Sequence, residues 1–257
     1  MTIETGRAEG AQLACANAAS WWSELARARE HALIQRRGYL WVPGSVRAGL
    51  RIMVLRPGLD PAEIDEITAL AASWPAGSRL VVEDPYSVLD LTSIGLRPTH
   101  QPVMLREPAP VTGTPRVPVA LVGTEDELGV AERTIVDAFR MTRFLPYRRG
   151  ECLPAAMAQR PGLDFHLARR ESGEPAGACA SFFDGTVGGI YWVGTLPEHR
   201  SHGVGRAVMI SALRHLGPDV PATLTATAAG QPLYESLGFR TVAESTWWWP
   251  GTAESRT

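Results

Sequence analysis

The chain has 257 residues, of which 45% are hydrophobic and 20% charged, as is typical of a soluble globular protein of one large or two medium domains. The formal net charge of −2 gives no reason to expect nucleic acid or a membrane as a partner. The three cysteines stand far apart without metal-ligand spacing, and no apolar run approaches the roughly 18 residues of a membrane span. We therefore expect reduced thiols, a cytoplasmic location, no membrane association and small molecules as partners.

The N-terminal half has alternating strand and helix patterns from residue 51 onward. They predict strands at 51–55, 79–82 and 95–105 and helices at 60–72 and 85–91. Residues 106–118 then contain four prolines and no apolar periodicity, which indicates an exposed linker. We accordingly predict an accessory α/β domain over residues 1–110 and a second domain over residues 111–257.

The C-terminal half has a longer series of elements. A strand at 117–122 precedes a helix at 125–139 with Thr124 as its N-cap, and residues 144–160 form a loop and a short helix. The remaining pattern predicts strands at 163–169, 175–184, 187–195, 222–227 and 240–249 and helices at 204–216 and 231–237. This order predicts an α+β fold with a mostly antiparallel sheet.

The two halves contain similar sequences. GLRPTHQPVML at 95–105 aligns with GFRTVAESTWW at 238–248, and each follows a predicted short helix with a tyrosine, Tyr86 or Tyr234. We interpret this as an internal duplication, with an unrelated α/β cap as the alternative for the first half.

The most informative motif is RSHGVG at 200–205, between a predicted strand and a predicted amphipathic helix. Gly203 and Gly205 allow the backbone to approach an anion, and the start of the helix presents free N–H groups. Arg200 and Arg206 flank the turn and can bind phosphate oxygens. The motif therefore predicts a pyrophosphate site, although glycines also occur in such turns for structural reasons alone.

In context, this motif resembles the GNAT superfamily of acyltransferases. The pattern R-x-x-G-x-G follows V-G-T-x-P and precedes L-Y-x-x-L-G-F, and the resemblance covers roughly residues 117–249. It implies a GNAT-like, mostly antiparallel split sheet flanked by helices. The duplication then implies two tandem copies, of which the first is degenerate because RPGLDPAE replaces the glycine-rich turn.

The resemblance also assigns roles to individual residues. Backbone groups of the segment Val193, Gly194 and Thr195 are expected to pair with the pantetheine arm of acetyl-CoA. The pyrophosphate would be held by Arg200, Ser201, His202, Gly203, Val204, Gly205 and Arg206. Tyr234 would protonate the leaving thiolate, although packing beneath the last strand is an alternative role for it.

Two positions depart from the family pattern. Thr227 stands where many members have asparagine, and Gly189 stands where histone-type members have a glutamate base. The candidates that remain for a base are Asp184, Tyr191, Glu198 and His166, each of which also has a structural interpretation. His199 and His202 lack a third ligand in the sequence, so no metal is predicted.

Aromatic and basic residues indicate where an acceptor could bind. They are Phe139, Arg143, Phe144, Tyr147, Arg148, Arg149, Tyr191 and Trp192. They could line a pocket for an apolar or carboxylate-bearing amine, or form core and solvated surface instead. Three consecutive tryptophans at 247–249 cannot all face one side of a strand, so at least one should meet the other domain or a partner subunit, as in a homodimer.

The sequence thus predicts an N-acetyltransferase that moves an acetyl group from acetyl-CoA to a primary amine of a small molecule by direct attack. One alternative is a different acyl donor, either a longer acyl-CoA or an aminoacyl-tRNA. The slightly negative net charge of the chain argues against a large contact with nucleic acid. The other is a sensor that binds acyl-CoA without catalysis.

Overall fold

The computed structural model describes residues 3–75 and 77–251. Its helices are α1 (Ile3–Ala28), α2 (Pro61–Ser73), α3 (Glu125–Ala138), α4 (Val204–Leu216) and α5 (Gln231–Glu235). Its strands are β1 (Ile34–Gln35), β2 (Tyr39–Pro43), β3 (Leu50–Val54), β4 (Leu80–Asp84), β5 (Leu96–Arg106), β6 (Val119–Leu121), β7 (Leu163–Arg169), β8 (Pro175–Phe183), β9 (Gly188–Thr195), β10 (Ala222–Thr225) and β11 (Arg240–Pro250). None of these helices is long and apolar enough to cross a bilayer.

Contacts divide the chain into two compact units. The first takes the residues up to Met104, 225–229 and those from Thr241 on, and the second takes Leu105–Leu224 and Gly230–Arg240. Strands of the first unit follow the order β1-β2-β3-β4-β11-β5, and those of the second the order β10-β9-β8-β7-β6. The last strand therefore groups with the N-terminal residues. A division of the chain at residue 110 into two consecutive domains stays a prediction.

In the first unit, both faces of the sheet are covered by helices. On one face, Ile52 and Val82 pack with Ile67 of α2 and with Trp248 of β11. On the other face, Met53 and its neighbours pack around Cys15 of α1. Neighbouring residues of a strand point to opposite faces, so alternate residues of β3 supply each of the two cores.

The three tryptophans of β11 follow the same alternation. Trp248 is only 4% exposed and lies in the core beneath α2. Trp247 and Trp249 lie on the opposite face, with ring centroids 5.7 Å apart. The Arg51 guanidinium, which is paired with Glu83, lies 6.0 Å from the Trp247 ring centroid. Trp248 thus packs against N-terminal residues of its own unit, whereas a contact of a tryptophan with another domain or a partner subunit stays a prediction.

The predicted helix at residues 85–91 is wrong. The Asp84 carboxylate accepts hydrogen bonds from the backbone N–H groups of Tyr86 and Leu89, at 3.2 and 2.8 Å, and Ser87 has a left-handed φ of 52°. A side chain that captures backbone donors in this way stabilises a turn in competition with a helix. α2, β3, β4 and β5 lie where the sequence predicts them, whereas no prediction covered α1, β1 and β2.

The second unit follows the predicted order closely. β7, β8 and β9 form the antiparallel meander, with β6 paired to β7 at one edge. Thr124 precedes α3, and its Oγ1 accepts from the Glu127 backbone N–H at 3.2 Å, so the predicted N-cap is confirmed. The observed fold is α+β with a mostly antiparallel sheet, as expected.

Replacing Trp248 by alanine should lower the free energy of unfolding by about 3–5 kcal/mol, because a large buried side chain is lost from the core. Urea unfolding followed by far-UV circular dichroism would measure this loss. Trp249→Ala is the matched control on the same strand and should cost clearly less, because Trp249 is only partly buried. Equal losses in both variants would contradict the assignment of Trp248 to the core.

Candidate acyl-CoA site

The segment between β9 and α4 makes a tight turn. After a short 3-10 helix, Pro197–His199, the chain passes through two residues with left-handed backbone, Ser201 at φ 63° and Gly203 at φ 79°. Such a conformation is strained for most side chains and free of strain for glycine. Gly203 is thus the residue that allows the chain to enter α4 in this direction.

The first turn of α4 has open backbone donors. The first hydrogen bond of α4 joins the Ala207 N–H to the Gly203 carbonyl, at 2.9 Å. The N–H groups of residues 204–206 have no acceptor within the helix, because the carbonyls four residues earlier lie before its start. Among the described residues, no side chain caps this helix. A Cβ atom at Gly203 would meet no atom within 4 Å, so the space in front of the helix is open. These are the physical requirements of an anion site.

At Gly205, the absence of a side chain permits close packing. A Cβ atom there would lie 3.3 Å from Leu233 Cδ2 and 3.4 Å from Thr195 Oγ1. The start of α4 is therefore packed closely against the end of β9 and against α5. Gly205 thus allows β9, α4 and α5 to pack closely. This packing role adds to its predicted role, which is to let the backbone approach an anion.

The polar side chains of the turn also contact the protein. Arg200 Nη2 donates to the Ala138 carbonyl at 3.4 Å, and His202 Nδ1 donates to the Arg200 carbonyl at 2.7 Å. Arg206 Nη1 donates to Ser236 Oγ at 2.8 Å. These contacts hold the turn between α3 and the segment that follows α5.

Strand β9 contains a bulge next to this turn. Its register with β8 pairs Ala178 with Gly194 and Ala180 with Tyr191, so β9 has one residue more than β8 over this stretch. Trp192 within the bulge has φ 51°. A bulge redirects backbone groups out of the ladder and often lies beside active sites. The backbone around Val193 is thus placed differently from that of a regular strand.

The other edge of β9 is paired with β10 at its beginning. The parallel register joins Ala222 to Gly188 and Thr223 to Gly189, and it ends there. Val193 and Thr195 lie several residues beyond that point. This geometry agrees with the predicted split of the sheet.

Tyr234 lies on α5 with 8% of its surface exposed. Its ring makes an edge-to-face contact with Phe239 and lies so close to Gly230 that a Cβ atom there would be 2.8 Å from Tyr234 Cε2. Burial, with a smaller contribution from Cys179, raises the pKa of Tyr234 to about 12. The hydroxyl therefore keeps its proton at neutral pH.

Comparison with known proteins identifies one domain in the C-terminal half. Residues 161–241 match the acetyltransferase (GNAT) domain. These residues are a GNAT acetyltransferase domain. It includes all the predicted cofactor residues and Tyr234, and it begins just before β7. No curated protein sequence matches the chain.

Solved structures with a similar fold extend over most of the chain. A GCN5-related N-acetyltransferase from Kribbella flavida has a TM-score of 0.65 and 22% identity, over 94% of this chain and 97% of that one. One from Sphaerobacter thermophilus has a TM-score of 0.54 and 17% identity, over 94% and 92%. A tandem GNAT protein from the clavulanic acid biosynthesis pathway has a TM-score of 0.53 and 14% identity, over 87% and 80%. At these identities the matches show the fold, which is that of tandem GNAT proteins.

Two of the candidate bases, Asp184 and His166, are held by hydrogen bonds within the GNAT domain. Asp184 Oδ1 accepts from the backbone N–H groups of Thr186 and Val187, at 2.9 and 3.0 Å, as expected for a turn residue. His166 is completely buried, with its two ring nitrogens 2.9 Å from Ser211 Oγ and Ser181 Oγ. Both groups thus have structural roles. Among the described residues, no cluster of His, Cys, Asp or Glu side chains could hold a metal ion.

Sequence reasoning missed Glu132 of α3, which is 0% exposed. The signal was available, because Glu132 falls four residues after Leu128 and three before Ile135, on the apolar stripe of the helix. Its two carboxylate oxygens accept four hydrogen bonds from residues of the following loop, Tyr147, Gly150, Cys152 and Leu153. An acidic residue on an apolar stripe therefore organises a neighbouring segment.

His166 should make the protein lose stability in acid. Burial lowers the pKa of His166 from its ordinary value of 6.5 to about 3, so the folded protein keeps the ring neutral. Below pH 6.5 the unfolded chain takes up a proton that the folded chain does not. The stability contributed by the neutral ring is present above pH 6.5 and is lost, at up to about 1.4 kcal/mol per pH unit, as the pH falls towards 3.

Urea unfolding at pH 7.5, 6 and 5 would test this effect. His166→Gln should flatten the dependence of unfolding free energy on pH, whereas His100→Gln, at an exposed histidine, should leave it unchanged. The same pH dependence in wild type and His166→Gln would show that His166 is not the group responsible.

Proposed function

We propose that the protein transfers an acetyl group from acetyl-CoA to a primary amine of a small molecule by direct attack of the amine on the thioester. The main support is the open first turn of α4, which follows a bulged strand inside a GNAT domain. The cysteines Cys15, Cys152 and Cys179 are all buried, and burial raises the pKa of Cys179. Such thiols are poor nucleophiles, which supports direct attack over a covalent enzyme intermediate.

The cofactor would bind along β9 and at the start of α4. Its pantetheine arm would pair with the backbone of residues 193–195 as an added strand. Its pyrophosphate would accept hydrogen bonds from the turn at residues 200–206, with the positive end of the helix dipole behind it. A backbone N–H near Val193, redirected by the bulge, would polarise the thioester carbonyl.

Tyr234 would assist departure of CoA as a hydrogen-bond donor to the sulfur. A pKa of about 12 keeps it protonated, but also makes complete proton transfer to a thiolate unfavourable, since an ordinary thiol has a pKa of about 8.5. Stabilisation of the developing negative charge is thus the larger part of its role. We retain Tyr234 as the catalytic residue on this basis.

The first unit would shape the protein without binding cofactor. Glu63 Oε2 accepts from the Asp60 backbone N–H at 3.0 Å and from Arg56 Nη2 at 2.6 Å. The protein's own carboxylate thus occupies the start of α2, where α4 has an open turn. In addition, β3 pairs with β4 from Leu50 to Met53 without a split. These features support the assignment of residues 1–110 as a degenerate copy.

Gly203→Asp should abolish binding of acetyl-CoA, because it places a carboxylate where the pyrophosphate would lie. Aspartate tolerates left-handed backbone better than most residues, so the substitution should leave the fold intact. Isothermal titration calorimetry should show one site per chain for the wild type and an affinity at least about 100-fold weaker for the variant, since like charges at short range repel strongly.

Gly173→Asp is the matched control. Gly173 also has a left-handed φ, 88°, and open space around its Cα, but it lies in the turn between β7 and β8. Its substitution should leave the affinity unchanged. Equal affinity in all three proteins, or two acetyl-CoA molecules per chain, would contradict the proposed site.

Tyr234→Phe should lower turnover about 100-fold, the lower end of what a positioned acid contributes, while acetyl-CoA affinity changes less than about two-fold. Release of free thiol would report turnover. Tyr86→Phe, which removes a hydroxyl bonded to the Leu55 carbonyl in the first unit, is the control and should keep wild-type turnover. Full activity of Tyr234→Phe would remove the hydroxyl from the mechanism.

A further inference from the structure

A cavity of about 650 Å³ lies within the second unit. Its walls are the chain just before β6, β6 itself, the turn between β7 and β8, and the C-terminal half of α4. It shares no lining residue with the proposed acyl-CoA site at residues 193–206 and Tyr234. Cavities of this volume are of the size that holds small organic molecules.

Strand β6 forms the apolar wall of this cavity. Val119 and Leu121 lie opposite Ala168 and His166 of β7. Residues directly opposite each other in an antiparallel pair share a face of the sheet, and His166 is bonded to Ser211 of α4 on that face. Leu121 is nevertheless 45% exposed, so a ligand in the cavity would gain free energy by covering it.

Basic side chains form the opposite, polar wall. Arg214 and His215 belong to the last turn of α4, and Arg116 lies on the chain before β6. Arg214 Nη2 donates to the Gly113 carbonyl at 2.7 Å, which ties that chain to the helix and leaves further guanidinium donors for a ligand. Two arginines against one acid, Glu171, give the described lining a formal charge of +1 with His215 neutral.

Ser211 adds a hydroxyl that a buried histidine supports from behind. His166 has Nδ1 at 2.9 Å from Ser211 Oγ and Nε2 at 2.9 Å from Ser181 Oγ, and it is completely buried. In the tautomer with the proton on Nδ1, the ring donates to Ser211 and accepts from Ser181. The hydroxyl hydrogen of Ser211 is then free to point into the cavity as a donor.

We infer that this cavity binds a small organic carboxylate with an apolar body. The carboxylate accepts hydrogen bonds from the guanidinium groups of Arg116 and Arg214, whose planar fork matches its geometry, and from the Ser211 hydroxyl. The apolar body packs against Val119 and Leu121. This ligand is distinct from acetyl-CoA and from the acceptor, so the inference does not depend on the proposed acetyl transfer.

Three related probes test which parts of a ligand the cavity recognises. They are 3-phenylpropanoate, its neutral amide 3-phenylpropanamide, and propanoate, which lacks the ring. Isothermal titration calorimetry of the wild type should show at least about tenfold tighter binding of 3-phenylpropanoate than of either other compound, a difference of about 1.4 kcal/mol. Equal affinity for the amide or for propanoate would overturn the inference, as would no binding of 3-phenylpropanoate.

Charge variants at exposed positions locate the carboxylate. Arg116→Gln and Arg214→Gln together should weaken binding of 3-phenylpropanoate at least about fivefold, whereas Glu171→Gln should strengthen it about twofold, because exposed charges act modestly. Arg133→Gln, at an exposed arginine of α3 outside the cavity, is the control and should bind like the wild type. Unchanged affinity in the double arginine variant would overturn the inference.

Two serine variants separate a direct contact from a structural one. Ser211→Ala and Ser181→Ala each remove one partner of His166, but only Ser211 lines the cavity. Ser211→Ala should weaken binding of 3-phenylpropanoate about tenfold, since it removes a hydrogen bond to a charged group, and Ser181→Ala should leave the affinity unchanged. Equal loss of affinity in both variants would show an indirect effect of folding and overturn the predicted contact.

Gly203→Asp distinguishes this cavity from the turn before α4. It should bind 3-phenylpropanoate like the wild type, because Gly203 does not line the cavity. Binding that is lost in Gly203→Asp and retained in the double arginine variant would place the anion at the turn and overturn the inference. Failure of acetyl-CoA to bind the wild type would refute the proposed function alone.

Discussion

Every α-helix begins with backbone N–H groups that have no partner within the helix, and the two units of this chain treat these groups differently. In the first unit, Glu63 and Arg56 lie at the start of α2, so the protein provides its own anion. In the second unit, Gly203 turns the chain into α4 and leaves the space in front of the helix open. One constraint on the backbone thus distinguishes the start of α2 from the start of α4.

Glycine has two distinct uses around this turn. At Gly203 it permits a left-handed backbone, whereas at Gly194 and Gly205 it permits close packing. A side chain at Gly194 would collide with the end of α3, and one at Gly205 would crowd Leu233 and Thr195. Strand β9, the start of α4 and α5 are therefore packed together at residues without side chains.

The order of elements in the second unit could be predicted because each signal is local. The period of α4, the N-cap at Thr124 and the turns between β7, β8 and β9 depend on residues near in sequence, and they lie as predicted. The prediction of a helix at residues 85–91 was wrong although its cause is also local, because the Asp84 side chain binds backbone donors that a helix would use. The position of Glu132 on an apolar stripe is a local signal, but its partners could not be predicted because they lie 15 to 21 residues further along the chain.

By itself, the sequence determined the α+β class, the GNAT resemblance and the position of the glycine turn before α4, since glycine spacing and apolar periodicity act over a few residues. Only the tertiary structure decided that Trp248 packs in the core of the first unit, that β9 bulges at Trp192, and that His166 is a buried neutral ring between two serines. These features depend on pairing and burial between distant segments. A one-dimensional pattern lacks that information, because the energy of a polar or aromatic side chain is set by the groups that surround it after folding.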